Sequence, residues 1–286
     1  MTVTTASRAD APGAQEPPGS TTTARAVRRR RRLTLNLRGL IFAVGLIALI
    51  QLLTATVIHS VYIPRPTQIG SALVDQLKDG DLLSGLGSTL GTYLEGLLIA
   101  AVAGVVLGAL LGASELAYHT FRVVIEFLRP LPSVALIPFS ILLLGVGSTT
   151  TVAMIFFASF WPILFNTYYG VRAVNPVAIE SARIFGLKRW QVFFRVQIPS
   201  AATNIAAGIR ISSAIALILV ITVEILTRSG GLGDYVVRMQ VAIRTEDMYA
   251  GIFVVGVIGY IVALLMAGLE RRVIFWNNDT RKDGGR

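Results

Sequence analysis

The segment Asn175–Pro199, NPVAIESARIFGLKRWQVFFRVQIP, decides how the rest of the chain is read. It stands between two long apolar runs and carries Glu180, Arg183, Lys188, Arg189 and Arg195, which make it too polar to cross a bilayer. Asn175 followed by Pro176 predicts an N-cap with proline at the first helical position, Gly186 a break between two short helices, and Pro199 the end of the second. The first helix is expected to place Ile179, Ala182 and Phe185 or Gly186 on one face, ringed by Glu180, Arg183 and Lys188. Such a helix lies on a surface instead of spanning a membrane. Composition alone offers one such surface, lipid headgroups met by Arg183, Lys188, Arg189 and Arg195.

The chain around this segment has a membrane composition. Of its 286 residues 53% are hydrophobic and 15% charged, with a mean hydropathy of +0.67. The net charge of +10 is concentrated at one end, because residues 1–38 hold eight Arg against Asp10 and Glu16. That placement, next to the first apolar run, fits a juxtamembrane anchor better than a nucleic-acid surface. With no cysteine, and with His59 and His119 as the two histidines, neither a thiolate nucleophile nor a Cys/His metal site of usual spacing is available.

Six spans follow from the apolar runs, and the expected fold is an all-α polytopic membrane protein. Residues 1–33, rich in Thr, Ala, Pro, Gly and Arg, are expected to be a disordered basic tail. The region 34–58 contains the run Leu40–Ile58, long enough for a first transmembrane helix. Residues 59–87 read as an external loop with an amphipathic piece around Ile69–Leu77. Spans two to six fall near Ser88–Ala113, Val123–Leu144, Thr150–Tyr169, Thr203–Leu226 and Ala250–Leu269, and 277–286 as a final tail. Gly96, Gly104, Gly108 and Gly112 suit close helix packing in span two. Pro130, Pro132 and Pro138 predict a span three that is kinked and buried in the bundle. With the amino terminus inside, 21 of the 26 Lys and Arg fall on the inner side, which places both termini and the 175–199 loop in the cytoplasm of a cell-membrane protein.

The loop carries a further signal. Glu180, Ser181, Ala182, Gly186, Val196, Ile198 and Pro199 resemble the "EAA" loop of ABC importer permeases, spaced as in that pattern at every position, with Ser181 in place of its second residue. The runs FLRPLPSVALIPFSILLLGVG, WPILFNTYYGVRAVNP, SGGLGDYV and LERRVIFW extend the resemblance over residues 88–276, to the nitrate, sulfonate, taurine and bicarbonate group of these permeases. The resemblance implies a type I importer fold. It also implies a second permease copy, cytoplasmic ATPase subunits that bind ATP and Mg, an external solute-binding protein, and a small anionic solute. On this reading Glu180, Ser181, Ala182, Gly186, Lys188 and Pro199 belong to ATPase docking, and Gly231, Leu232 and Gly233 to the external loop after span five. The chain has no Gly-Lys pair and hence no Walker A loop, so an ATP-driven system would need its ATPase on another polypeptide.

Polar residues near the spans are the candidates for a translocation pathway. Glu95 and Glu224 fall near the outer ends of spans two and five, where they are either solvated at the interface or set at an external mouth. Arg210, Ser212 and Ser213 on the inner half of span five line a path for an anion, or else serve snorkelling and tight packing. Asn166, Tyr168 and Tyr169 read as an interface belt. The rivals are a secondary transporter driven by an ion gradient, which needs an acid or broken helix at mid-bilayer, and a membrane-embedded enzyme, for which no clustered constellation is present.

Overall fold

Among the residues that the computed structural model describes, 39, 41, 42, 44–56 and 62–274, the regular structure is all helical. The expected basic tail 1–33 and the final tail 277–286 lie outside the described residues. The chain divides into two units at residue 58, and each is taken by itself. The first holds one apolar helix, α1 (Val44–Thr56), part of the expected first span. Its threonines bond back into the helix, Thr54 Oγ1 donating to the Ile50 carbonyl at 2.8 Å.

The second unit begins with α2 (Pro66–Asp79) and α3 (Asp81–Ala113), joined at Gly80, whose φ of 81° turns the chain between them. The expected external loop is therefore shorter than 59–87, since residues 81–87 are already helical. Next come α4 (Glu115–Leu128), a 3-10 turn Ser133–Leu136 and α5 (Ile137–Leu144). Then α6 (Ser148–Arg172), α7 (Pro176–Ile184) and α8 (Arg189–Val192) lead through a π turn, Phe193–Gln197, into α9 (Ile198–Thr227). The chain closes with α10 (Gly231–Val241) and α11 (Thr245–Val273).

Four of these helical stretches are long and apolar enough to cross a membrane: α3, α6, the continuous Arg189–Thr227, and Thr245–Arg272. A bent fifth is formed by α4 with Ser133–Leu144. Span three departs from its expectation. Its two halves are bent by 80°, and Val123, Phe127 and Leu142 are exposed on this single chain, so it is broken and peripheral instead of buried. Pro130 and Pro132 cannot donate to a helical ladder, and α4 stops at Leu128 just ahead of them.

The core is a row of three helices with α6 in the middle, packed on α3 and α9. Small residues set the spacing. A Cβ at Gly96 would lie 2.7 Å from Ile155, at Gly104 2.9 Å from Ile163, at Gly108 2.5 Å from the Leu164 carbonyl and at Gly112 2.8 Å from Val171. Where lipid offers helices no hydrophobic drive to associate, such close approach supplies the dispersion contact that does. The other side of α6 repeats the device reciprocally: Gly170 receives Asn204 of α9, and Gly208 of α9 receives Asn166. Asn166 therefore faces α9, and Tyr168 is buried and stacked on Tyr118 at 4.6 Å, so of the expected belt Tyr169 alone is exposed. At one end of the row α10 lies across α3, α9 and α11, burying Leu232, Tyr235 and Met239 with Leu82 and Ile258.

Candidate functional site

Two constructions mark opposite ends of the row. At one end, Asn175 Oδ1 accepts from the Val177 amide at 2.9 Å and Pro176 stands in the first turn of α7, as capping chemistry predicts. The helix stops in a paired turn: the Gly186 amide donates to the Arg183 carbonyl at 2.9 Å and the Leu187 amide to the Ala182 carbonyl at 3.1 Å. This is the Schellman pattern, and it needs a left-handed residue at Gly186, whose φ is 83°. The Lys188 amide then donates to Gln191 Oε1 at 2.8 Å and opens α8.

The outward side of this segment is apolar as well as charged. Val177, Ile184, Phe185, Trp190 and Phe194 are all exposed, Phe185 at 83%. Phe185 thus does not share the inner face with Ile179 and Ala182, which are half-buried; it follows the last turn of α7, and the reversal at Gly186 directs it away. Glu180, Arg183, Lys188, Arg189 and Arg195 form no ion pair among the described residues. Behind α7 a cavity of about 390 Å³ separates it from the ends of α3 and α6, lined by Glu180, Arg183, Glu115 and Arg172, the last two 3.6 Å apart.

Pro199 does not close the second helix. The π turn re-registers the hydrogen bonds just ahead of it, so that Pro199 falls in the opening turn of α9, where a missing amide is tolerated. Arg189–Thr227 is consequently one unbroken helical body, roughly 58 Å long at the α-helical rise.

At the other end of that body stands Glu224, buried. It accepts from Thr89 Oγ1 of α3 at 2.9 Å and from the Gly233 amide of α10 at 2.9 Å, while Thr89 Oγ1 accepts from the Leu232 amide at 2.8 Å. Outside it Arg228 pairs with Asp234 at 2.9 Å, and Arg238 bridges Asp234 at 3.1 Å and both oxygens of Asp81 at 3.2 Å. The Asp81 hydrogen bond pushes the Arg238 guanidinium above its usual range, and burial pushes the Tyr235 hydroxyl up to about 12.

The remaining pathway candidates are not brought together. Arg210 pairs with Glu270 of α11 at 2.8 Å. Ser212 Oγ donates to the Ser159 carbonyl of α6 at 2.6 Å, and Ser213 Oγ to the Arg210 carbonyl at 2.8 Å. Glu95 is on an exposed face of α3. Sequence reasoning missed Thr89, Glu270 and Arg129. The first two are partners distant in sequence, as is the ring of Phe165 in α6, over which the Arg129 guanidinium lies at 4.4 Å.

Residues 102–275 match the family of binding-protein-dependent transport system inner membrane components. The chain belongs to this family. A probable ABC transporter permease protein of Brucella melitensis is 30% identical over 246 residues, covering 86% of this permease and 99% of the relative. The putative aliphatic sulfonates transport permease protein SsuC of Bacillus subtilis is 28% identical over 260 residues, covering 90% and 94%. In fold, the permease is similar to an inward-facing structure of the MetNI methionine ABC transporter, with a TM-score of 0.59 at 18% identity over 67% of this chain and 95% of that one. The matched family region contains both the α7–α8 segment and Glu224, whereas α1, α2 and Thr89 precede it. This permease is accordingly a multi-pass inner-membrane transport component.

Proposed function

We propose that this permease carries a small anion of the sulfonate class into the cell, driven by separate cytoplasmic ATPase subunits that bind ATP and Mg and supplied by an external solute-binding protein. A second copy of the chain completes the pathway, and both termini and α7 face the cytoplasm. The observation that carries the reading is the α7–α8 segment: a capped helix ended by a fixed turn, presenting Ile184, Phe185 and Trp190 to the outside beside unpaired charges. Exposed apolar side chains grouped with charge fit a protein groove, which desolvates the rings and pairs the charges at once. Glu180, Ser181, Ala182, Gly186 and Lys188 form or shape that docking surface, and Pro199 lets α8 continue into α9.

Motion at the docking end reaches the far end through the helical body Arg189–Thr227, whose Glu224 holds α3 and α10. Closure of an ATPase dimer against α7 would therefore move the outer clamp together with the inner surface, which is what alternating access requires. The sulfonate class is supported by the similarity to the Bacillus subtilis protein named for aliphatic sulfonates.

The test is purification of the tagged permease from its host membranes in mild detergent, with the bound proteins identified by mass spectrometry. Recovery of a Walker A ATPase, lost when Glu180 is replaced by Lys together with Gly186 by Val, is the expected result. A chain recovered alone that moves ethanesulfonate into liposomes without ATP would overturn it.

A further inference from the structure

The connection between α4 and α5 opens a cavity of about 430 Å³ against α6 and α9. Its α6 wall includes Phe157, Trp161 and Phe165, all close to the middle of Ser148–Arg172, and its α9 wall is Ile215, close to the middle of Ile198–Thr227. At the α-helical rise of about 1.5 Å per residue these side chains stand within roughly 8 Å of the midpoints of their spans. Irregular backbone at that depth is tolerated where it faces protein or a wet cavity. The break therefore borders a cavity partway along two candidate spans, lined by apolar side chains together with Arg129, Ser133 and Asn166.

The polar side chains lining this space are Arg129, Ser133 and Asn166, the last with its Nδ2 already donating to the Pro162 carbonyl at 2.8 Å. Arg129 contributes a guanidinium that rests on Phe165 and has no ion pair among the described residues. Arg129 stands exposed at the break within a candidate span, and a cation so placed without an ion pair favours a partner of opposite charge. Trp161 lines the cavity with its ring, its Nε1 being buried away from it without a hydrogen-bond partner. Ser133, at the start of the 3-10 turn, lines the same cavity, and no carboxylate does.

We propose that this cavity is a resting site on the translocation pathway for the anionic head of a small aliphatic sulfonate. Arg129 supplies the charge, Ser133 donates to a sulfonate oxygen, and Phe157, the ring of Trp161 and Ile215 receive the short apolar tail. The size suits such a ligand, and charge-assisted bonds from a guanidinium fork are the strong ones available to an oxyanion. The assignment rests on the reading of the permease as an anion importer, and it differs from the sequence-based candidates in that Arg210 is already neutralised by Glu270.

The experiment uses the full chain in lipid nanodiscs with whatever subunits co-purify. Replacing Trp190 and Trp276 by Phe leaves Trp161 as the single tryptophan, since the chain has three. Its emission is followed as ethanesulfonate is added at constant ionic strength, with chloride as the control. The expected result is a saturable change with ethanesulfonate that chloride does not reproduce. Arg129→Gln should raise the half-saturating concentration about tenfold or more, and Ser133→Ala a few fold. Absence of a saturable change, or identical curves for Arg129→Gln and the parent, overturns the site. If Arg129→Gln fails to insert, an unchanged curve for Ser133→Ala does the same. ATPase recovery is scored separately on the chain that keeps Trp190: ATPase recovered there without an anion response in the single-tryptophan chain removes this site alone, and an anion response with no ATPase recovered by the Trp190-containing chain removes the coupling reading alone.

Discussion

Thr89 Oγ1 donates to Glu224 at 2.9 Å and accepts from the Leu232 amide at 2.8 Å, so one hydroxyl joins three helices, α3, α9 and α10. With the Gly233 amide bonded to the same carboxylate, the start of α10 is fixed to α3 and α9 at one end of the row. A Cβ at Gly233 would lie 2.7 Å from Glu224 Cβ, which explains why the Gly-Leu-Gly run stands there.

Removing the carboxylate should release α10. Glu224→Ala leaves the Thr89 hydroxyl and the Gly233 amide buried without an acceptor, each unsatisfied group costing about 1–3 kcal/mol, whereas Glu224→Gln keeps an acceptor oxygen for the amide. The expected order of thermal unfolding temperatures in nanodiscs is parent, then Gln, then Ala. Equal stability of Ala and Gln variants would show that the hydrogen bonds contribute nothing.

The glycines of α3 divide into those that meet α6 and those that do not. A Cβ at Gly108 would be 2.5 Å from the Leu164 carbonyl and 2.8 Å from Thr167, while one at Gly91 meets nothing within 4 Å. Gly108→Ala should therefore force the helices apart, at about 1–3 kcal/mol for overpacking, and Gly91→Ala should be neutral or slightly stabilising through helix propensity. Unfolding of the two variants in the same lipid is the measurement, and comparable losses would contradict the close α3–α6 approach.

The same contrast shows what the sequence could and could not disclose. Glycine spacing announced a packed face on α3, because small residues at helical spacing have few other uses in lipid. Asn175, Pro176 and Gly186 announced α7 at both ends, because capping is local chemistry. Pro199 misled, because the π turn that accommodates it depends on the helix continuing. The bend at Pro130–Pro132 was announced as a kink, yet its size and its peripheral position depend on what α6 and α9 present to it. Glu224 and Arg210 were visible as charges near spans, but their partners Thr89 and Glu270 are set by which helices meet, and no local pattern encodes that.

Gly186 offers the sharpest division between fold and function. No atom lies within 4 Å of a Cβ placed there, so a substitution meets a conformational penalty and no clash. The left-handed conformation costs an ordinary L-residue about 1–2 kcal/mol and more when β-branched, whereas Asn tolerates it. Gly186→Asn should keep the turn that directs Ile184 and Phe185 outward, and Gly186→Val should loosen it, with global stability little changed because the segment is exposed. The expected outcome is ATPase co-purification close to the parent's for Asn and several-fold lower for Val, at equal membrane levels. Equal recovery for the two would mean that the docking surface does not depend on this turn, and the role assigned to α7 would have to rest on its charges alone.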